Sequence, residues 1–192
     1  MVLFSEGDFL LYLQDNIRNG ILDTFFKTIT HLGDGGIFWI ILTVILLCFR
    51  KTRKAGICSV IALLGSVIIC NLIIKNLVAR TRPYEMIEGL TCIVKRASDY
   101  SFPSGHTSAS FASAVAMTGN IKKRYSVVLL IVAALIAFSR LYIGIHYPTD
   151  VLGGLVLGVL LGLLGHFLGE KICAAVKNRR TPDPVPEEEK TL

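Results

Sequence analysis

Five apolar stretches separated by short polar loops dominate the hydropathy pattern of the chain. They cover residues 36–50, 55–79, 104–119, 125–145 and 149–172. A helix needs about 20 apolar residues to cross the roughly 30 Å hydrocarbon core of a bilayer, so the first and third stretches need help from flanking residues. The pattern predicts an all-α fold, a polytopic membrane helix bundle of about five to six transmembrane helices.

The N-terminal residues have a pattern that is typical of a helix lying in the membrane interface. Four apolar residues share one side of a helix there: Phe9, Leu10, Leu13 and Ile17. Polar residues lie largely elsewhere, although a helix packed on the soluble side of the bundle has the same pattern. Residues 22–34 form a second interfacial helix or extend the first span.

These patterns divide the chain into three parts. Residues 1–34 are expected to form N-terminal interfacial helices, residues 35–175 a single transmembrane domain, and residues 176–192 a disordered cytoplasmic tail. The tail is rich in Pro and Glu, a composition that buries too little apolar surface to fold.

The overall composition also indicates a membrane protein. Of the 192 residues, 53% are hydrophobic and only 18% charged, and the mean hydropathy is +0.61. The net charge of +6 does not indicate a nucleic-acid partner, because the basic residues lie mostly in short clusters between the apolar stretches. The five cysteines form no CxxC pair, so neither a disulfide framework nor a zinc site is expected.

Three basic clusters set the expected orientation. Arg50–Lys54, Lys122–Arg124 and Lys177–Arg180 lie on one side if the five spans alternate in direction. The positive-inside rule assigns that side to the cytoplasm. We therefore expect a multi-pass protein of the cell membrane, plasma or inner. Its C-terminus would be cytoplasmic, and loop 80–103 and His146 would lie on the extracytoplasmic side.

Ionisable residues gather at the predicted outer ends of the spans. They are Lys75, Arg82, His106, Arg140, His146 and Asp150. Charges in spanning helices are costly and usually functional, although each cation has the alternative of snorkelling to lipid phosphate. Three regions of one face that all supply phosphate-compatible groups favour a phosphate site.

The segment "PSGH" at the start of the third stretch has the features of an anion site. Pro103 stops any preceding helix, and Ser104 is placed to cap the next one. Gly105 has no side chain, so its N–H can approach an oxyanion closely, and the free N–H groups of a helix start favour an anion. His106 lies on the same turn, where it is placed to donate a proton to a leaving oxygen.

The segment "HYPTD" pairs a histidine with a carboxylate. His146 and Asp150 are four residues apart, and Pro148 suits the first turn of the fifth span. A carboxylate bonded to one imidazole nitrogen fixes the tautomer and leaves the other nitrogen free to attack phosphorus. The H-x-x-x-D spacing has many chance matches, so it gains weight only from its partners.

Together these segments resemble the three-part signature of the type 2 phosphatidic acid phosphatase family. "KNLVARTRP" (Lys75–Pro83), "PSGH" (Pro103–His106) and "SRLYIGIHYPTD" (Ser139–Asp150) match K-x6-RP, PSGH and SR-x5-H-x3-D in order. The resemblance covers roughly residues 35–172. Within the family it is greatest to small bacterial lipid phosphatases, such as undecaprenyl pyrophosphate phosphatases and phosphatidylglycerophosphatases.

The resemblance implies a role for each matching residue. His146 would be the nucleophile that forms a phosphohistidine, Asp150 would orient it, and His106 would protonate the leaving group and then activate water. The groups that bind the phosphate oxygens would be Lys75, Arg82, Arg140, Ser104 and Gly105. No metal or other cofactor is implied. The implied partners are a lipid phosphate substrate and membrane lipids.

Several alternatives stay open on the sequence alone. Undecaprenyl pyrophosphate, phosphatidylglycerol phosphate and phosphatidate are all compatible substrates, as either mono- or diphosphate esters. A non-catalytic phospholipid-binding or transport protein and a vanadate-dependent peroxidase-like enzyme on the same scaffold are the rival classes. Intact His106, His146 and Asp150 count against mere binding, and the known peroxidases of this scaffold are soluble and larger.

Three further features have a secondary place. His31 with Asp34 can extend the site. Three acidic residues of the polar loop 84–100 are expected to repel extra phosphate and help to select the substrate: Glu85, Glu88 and Asp99. Glycines recur along the last stretch at Gly154, Gly158, Gly162, Gly165 and Gly169. Small residues at this spacing favour close packing within the bundle over dimerisation, and the sequence specifies no oligomeric state.

Overall fold

The computed structural model describes residues 5–178, and within that range the chain is entirely helical outside its loops. The helices are α1 Glu6–Asn16, α2 Gly20–Leu32, α3 Ile37–Cys48, α4 Arg53–Gly65, α5 Lys75–Val78, α6 Pro83–Met86, α7 Gly105–Met117, α8 Lys123–Tyr142 and α9 Pro148–Asn178. A 3-10 turn, Asp34–Gly36, joins α2 to α3, and a π-helical segment, Ser66–Ile74, joins α4 to α5. The predicted all-α class is confirmed. Of the predicted tail, residues 176–178 end α9, and 179–192 lie outside the described residues.

Fewer spans meet a length and hydropathy criterion than the five that the pattern predicts. Among the described residues, the stretches Arg53–Met86, Lys123–Tyr142 and Pro148–Asn178 are long and apolar enough to cross a membrane. Helix α2 with the segment Asp34–Cys48 adds a fourth if the pair, bent by 45°, is one span. Helices α3 and α7 form where predicted, but their 12 and 13 residues are too short to meet the criterion alone.

Helix α7 is the centre of the bundle, and its small side chains are largely buried against the surrounding helices. Its serines are hydrogen-bonded to neighbouring helices: Ser110 accepts from Trp39 Nε1 at 2.9 Å, and Ser113 and Ser108 pair with Ser59 and Ser66. Hydrogen bonds of this kind satisfy polar groups where water is excluded. The many Ala, Ser and Thr residues of α7 therefore suit a helix that is buried among other helices rather than one that faces lipid.

The α9 glycines let α7 and α4 pack closely against α9, as predicted. An added Cβ at Gly158 would lie 2.6 Å from the backbone oxygen of Ser108 on α7, and one at Gly165 would lie 2.8 Å from that of Cys58 on α4. Both distances are below any normal contact. The glycine spacing therefore serves packing within the bundle.

The basic clusters at the starts of α4 and α8, and Lys177 at the end of α9, lie at one end of the bundle. At the start of α4, Lys54 forms an ion pair with Glu170 on α9, and Asn120 in the α7–α8 loop lies 3.5 Å from His166 Nδ1 on α9. The residues of the three signature segments lie at the other end of the same helices. The chain thus separates a basic end from the end that carries the candidate site.

Helix α1 is attached to that second end. Ser5 caps it through a capping box with Asp8, and Leu10 and Leu13 are buried against the protein. Glu6 accepts hydrogen bonds from Arg80 Nη2 at 2.8 Å and from the backbone N–H of Thr149 at 2.7 Å. The apolar side of α1 therefore packs on the bundle, and its first turn contacts the start of α9.

Candidate active site

His146 and Asp150 form the buried centre of the site. His146 lies in the loop between α8 and α9, and Asp150 lies in the first turn of α9, which begins at Pro148 as predicted. The distance from His146 Nδ1 to Asp150 Oδ2 is 3.4 Å, long for a hydrogen bond. The same oxygen accepts from Ser101 Oγ at 2.5 Å and from the Tyr147 N–H at 2.9 Å. These two donors hold the carboxylate facing Nδ1.

The imidazole of His146 is held in its neutral form. Burial lowers its pKa to about 3, and the contact with Asp150 offsets this only in part because Arg140 and Arg82 act in the same direction as burial. A neutral ring with Nδ1 directed at a carboxylate carries its proton there. The lone pair is then on Nε2, the nitrogen that can act as a nucleophile.

Arg82 lies beside that nitrogen, and Lys75 is linked to Arg82 through a shared carboxylate. Arg82 Nη1 lies 3.3 Å from His146 Nε2 and donates to the backbone oxygen of Ile145 at 3.0 Å. The side chains of Lys75 and Arg82 are only 8% and 4% exposed, and both contact the carboxylate of Asp99. Two predicted phosphate ligands therefore come together, bridged by an acidic residue, and Arg82 also contacts the predicted nucleophile.

Arg140 is the third predicted cation. It is buried near the end of α8, and its Nη1 donates to Thr30 Oγ1 on α2 at 2.6 Å. Its Nε has no hydrogen-bond partner among the described residues. A buried donor left unpaired costs about 1–3 kcal/mol, so this N–H is suited to an anionic ligand.

The "PSGH" segment connects α7 to α9. Ser104 caps α7, as predicted, by accepting from the Thr107 N–H at 3.5 Å, and its own N–H donates to the backbone oxygen of Asp150 at 3.0 Å. An added Cβ at Gly105 would lie 2.7 Å from Oδ1 of Asn71 in the π-helical segment. A larger residue at 105 would therefore make the Asn71 side chain move, a close approach that the sequence does not reveal.

His106 has a carboxylate partner, Asp34, which the sequence pattern indicated only as an extension of the site. His106 Nε2 lies 2.9 Å from Asp34 Oδ1, and the other oxygen of Asp34 lies 2.7 Å from Nδ1 of exposed His31. Asp34 belongs to the 3-10 turn between α2 and α3. The predicted N-terminal part of the chain therefore supplies a residue to the site.

Two further residues complete the surroundings of Asp150, and the sequence reasoning missed both roles. Arg80 Nη1 donates to Asp150 Oδ1 at 2.7 Å, and its guanidinium stacks on the Tyr147 ring at 3.9 Å. Ser101 donates to the other carboxylate oxygen. Arg80 lies inside the first signature segment, at a position that its pattern leaves unspecified, and Ser101 lies two residues before the second segment.

An apolar groove of about 630 Å³ opens from the site. At one end it is lined by Lys75, Asp99, Gly105 and His106. It continues between α3 and α4 along apolar side chains that include Ile40, Val44, Leu47, Val60, Leu64 and Val67. A groove that is charged at one end and apolar along its length fits a lipid with a phosphorylated head group.

Among the described residues, one cluster of a histidine, a cysteine and a glutamate has ligand atoms close enough to one another to hold a metal ion. They belong to Cys58, His166 and Glu170, within 4.8 Å of one another. The Glu170 carboxylate is paired with Lys54, and Cys58 Sγ contacts the His166 backbone oxygen at 3.7 Å. This group lies at the basic end of the bundle, away from His146.

Comparison with known proteins agrees with this geometry. An undecaprenyl-diphosphatase from Sulfolobus acidocaldarius is 33% identical over 66% of the chain, a match that spans 61% of that relative. A lipid A 4'-phosphatase from Bacteroides thetaiotaomicron is 30% identical over 86% of the chain and 79% of the relative. The crystal structure of a transmembrane PAP2 type phosphatidylglycerolphosphate phosphatase from Bacillus subtilis superimposes with a TM-score of 0.72 and 27% identity. The superposition covers 87% of this chain and 85% of the Bacillus subtilis chain.

The family assignment rests on the sequence as well as on these similarities. The family model described as the PAP2 superfamily matches residues 55–171, which contain all three signature segments. The relatives above are named as phosphatases of lipids. The chain therefore belongs to the PAP2 superfamily and is one of its membrane lipid phosphatases.

Proposed function

We propose that the chain hydrolyses a phosphate or diphosphate ester of a membrane lipid through a phosphohistidine on His146. The observation that carries this proposal is the chain of contacts that runs from the neutral His146 Nε2 through Arg82 to Asp99 and Lys75. Asp99 and Lys75 line the mouth of one apolar groove together with His106. A lipid chain in the groove would place its phosphate at this mouth.

In the first step, His146 Nε2 would attack the terminal phosphorus, and the bond from that phosphorus to the leaving oxygen would break. The leaving group is the lipid alcohol for a monophosphate and the lipid monophosphate for a diphosphate. His106 would give its proton to the leaving oxygen, and Asp34, 2.9 Å from His106 Nε2, would favour the protonated ring. Lys75, Arg82 and the unpaired Nε–H of Arg140 would stabilise the charge on the phosphoryl oxygens.

In the second step, the neutral His106 would take a proton from water as the water attacks the phosphohistidine. The phosphorus–nitrogen bond would break, inorganic phosphate would leave, and both histidines would return to their starting states. Asp150, held by Ser101, Arg80 and the Tyr147 N–H, would stabilise the developing charge on His146 throughout.

The lipid itself is proposed at the level of its class. The relatives are named for undecaprenyl diphosphate, lipid A and phosphatidylglycerol phosphate, which share a phosphate on an apolar anchor. The groove fits that shared feature. We infer a substrate among undecaprenyl pyrophosphate, phosphatidylglycerol phosphate and phosphatidate, reached from the extracytoplasmic face of the cell membrane.

Phosphate release tests the proposal. Purified protein in detergent with EDTA would be given each of the three lipids, and wild type would be compared with His146→Ala. A His166→Ala variant at the other end of the bundle is the matched control. We expect only wild type and the control to release phosphate. When a reaction with ³²P-labelled lipid is quenched, we also expect acid-labile ³²P on the wild-type protein. Undiminished release by His146→Ala would refute a phosphohistidine at this position.

The general acid gives a second, graded comparison. Loss of general acid–base help costs about a hundredfold to ten-thousandfold in rate, whereas loss of the nucleophile removes the covalent route altogether. His146→Ala should therefore be less active than His106→Ala. The reverse order would overturn the assignment of the two roles.

A further inference from the structure

The cations that would bind the substrate phosphate are already bridged by an acidic side chain of the chain itself. Asp99 Oδ1 accepts from Arg82 Nη2 at 2.6 Å, and Asp99 Oδ2 pairs with Lys75 Nζ. One carboxylate thus spans both cations, as two oxygens of a phosphate would. Asp99 also lines the mouth of the groove with Lys75 and His106.

The three side chains differ in their freedom to move. The side chains of Lys75 and Arg82 are almost entirely buried, whereas that of Asp99 is 53% exposed. The Asp99 backbone is fixed independently, since its oxygen accepts from Arg82 Nε at 2.9 Å. Rotation of the Asp99 side chain into solvent would therefore release both cations without moving the loop.

The charge of Asp99 persists at any ordinary pH. Burial alone would raise the pKa of Asp99, but the hydrogen bonds and charges of Lys75 and Arg82 outweigh it and hold the pKa at about 2. A pair of buried cations without a counter-ion would be costly, and Asp99 supplies that counter-ion in the free protein.

The same arginine also covers the nucleophile. Arg82 Nη1 lies 3.3 Å from His146 Nε2, so one of its N–H groups occupies the lone pair that attacks phosphorus. The remaining contacts of Arg82, to the backbone oxygens of Ile145, Asp99 and Tyr100, hold the guanidinium in place. A phosphate therefore needs only to displace the Asp99 side chain and to break the contact between Arg82 and His146.

We propose that Asp99 is a built-in competitor for the phosphate site that selects lipid phosphates over free phosphate. This inference rests on the proposed function and adds a specificity-determining residue to it. A lipid phosphate has the groove to offset the displacement of Asp99, whereas inorganic phosphate has only the cations. Displacement of Asp99 costs both ligands the same free energy. The lipid, which is also held by the groove, therefore still occupies the site at concentrations at which inorganic phosphate does not.

Inhibition and binding by inorganic phosphate test the inference. The variants are Asp99→Asn, which removes the charge, and Asp99→Glu, which keeps it. Asp15→Asn makes the same chemical change at an exposed position of α1, where the only side-chain contact described is with Gln14. Each variant would be checked for an unchanged melting temperature, and phosphate binding would be measured in detergent by ³¹P NMR titration, with no turnover required.

We expect phosphate to bind Asp99→Asn at least about tenfold more tightly than wild type, which corresponds to about 1.4 kcal/mol. Asp99→Glu and Asp15→Asn should stay near the wild-type value. Equal phosphate affinity in Asp99→Asn and wild type, or weaker affinity in Asp99→Asn, would overturn the inference. A weaker phosphate affinity in Asp99→Asn would mean that Asp99 instead orients Arg82.

The outcomes separate this inference from the proposed function. If wild type releases phosphate from lipid but Asp99→Asn binds phosphate no more tightly, only the competitor role fails. If wild type neither releases phosphate from any lipid nor binds it, the proposed function fails and the competitor role fails with it.

Discussion

Asp34 illustrates how a residue outside the recognised segments enters the chemistry. Its carboxylate faces Nε2 of His106 from the turn that joins α2 to α3, and its second oxygen is shared with His31. It touches no reacting atom in the proposed mechanism and acts through His106. Asp34 is therefore a positioning residue that also favours the protonated imidazole.

The Asp34→Asn substitution should lower kcat by at least about tenfold, a fraction of the hundredfold or more supplied by a general acid. Without the carboxylate the protonated form of His106 loses its partner. The basic limb of the pH dependence of kcat should accordingly move to lower pH, as measured by phosphate release across pH 5–9. The Asp34→Glu variant should recover part of the rate.

The control for this effect is His31→Ala, which removes the other partner of Asp34 and leaves the contact with His106. A merely structural role of Asp34 would lower kcat without moving the pH limb, and that result would count against the positioning role.

At the residue scale, the sequence revealed the groups that the signature patterns specify but not those that support them. His146, Asp150, Arg82 and Lys75 are brought together, as their spacing led us to expect. Ser101, Arg80 and Asp34 support them through contacts across 49 to 72 positions of sequence. No local pattern reports such contacts, because they depend on which helix ends meet.

At the scale of elements, the contact between α7 and α9 determines where the two halves of the site lie. Ser104, at the start of α7, donates its N–H to the backbone oxygen of Asp150, at the start of α9. The glycines of α9 and the small residues of α7 bring these two helix starts within that distance. Close helix packing therefore has a direct consequence for catalysis.

The Gly158→Ala substitution should lower the stability of the bundle. The new Cβ would lie 2.6 Å from the backbone oxygen of Ser108, and overpacking of this kind costs about 1–3 kcal/mol. The higher helix propensity of Ala returns up to about 1 kcal/mol, so a net loss is expected. Thermal unfolding in detergent, followed by intrinsic fluorescence, measures it.

The matched control is Gly20→Ala at the start of α2, where an added Cβ meets nothing within 4 Å. Its melting temperature should not fall. A Gly158→Ala variant as stable as this control would show that α7 and α9 can separate without cost.

The pattern of apolar residues predicted the helices better than it predicted the spans. Each of the five stretches contains a helix, but α3 and α7 are short, and α7 is short because it is enclosed by other helices rather than by lipid. The π-helical segment was not foreseen, because its sequence is as apolar as the α-helix before it. Its effect is visible only in the approach of Asn71 to Gly105.

At the scale of the whole molecule, the separation of a basic end from the site end makes the orientation testable. Lys51 is exposed in the α3–α4 loop at the basic end, and Lys95 is exposed in the loop before α7 at the other. In a variant lacking the native cysteines, Lys95→Cys should react with a membrane-impermeant maleimide in intact cells. Lys51→Cys should react only after permeabilisation.

The opposite labelling pattern would place the site in the cytoplasm. Phosphate release in detergent by each variant checks that neither substitution has disturbed the fold. The charge clusters of the sequence predicted this orientation. The sequence did not predict which helices enclose the groove, because α3 and α4 come together through tertiary packing.

The groove between α3 and α4 has a kinetic consequence. Its lining includes Ile40, Val44, Leu64 and Val67, whose side chains are about half exposed on the outside of the bundle, where lipid tails would surround them. A substrate would then enter sideways, by diffusion within the leaflet, without passing through water. The quantity that sets the rate is its mole fraction among the surrounding lipids, so adding inert lipid would slow turnover even when the total amount of substrate in the sample is unchanged.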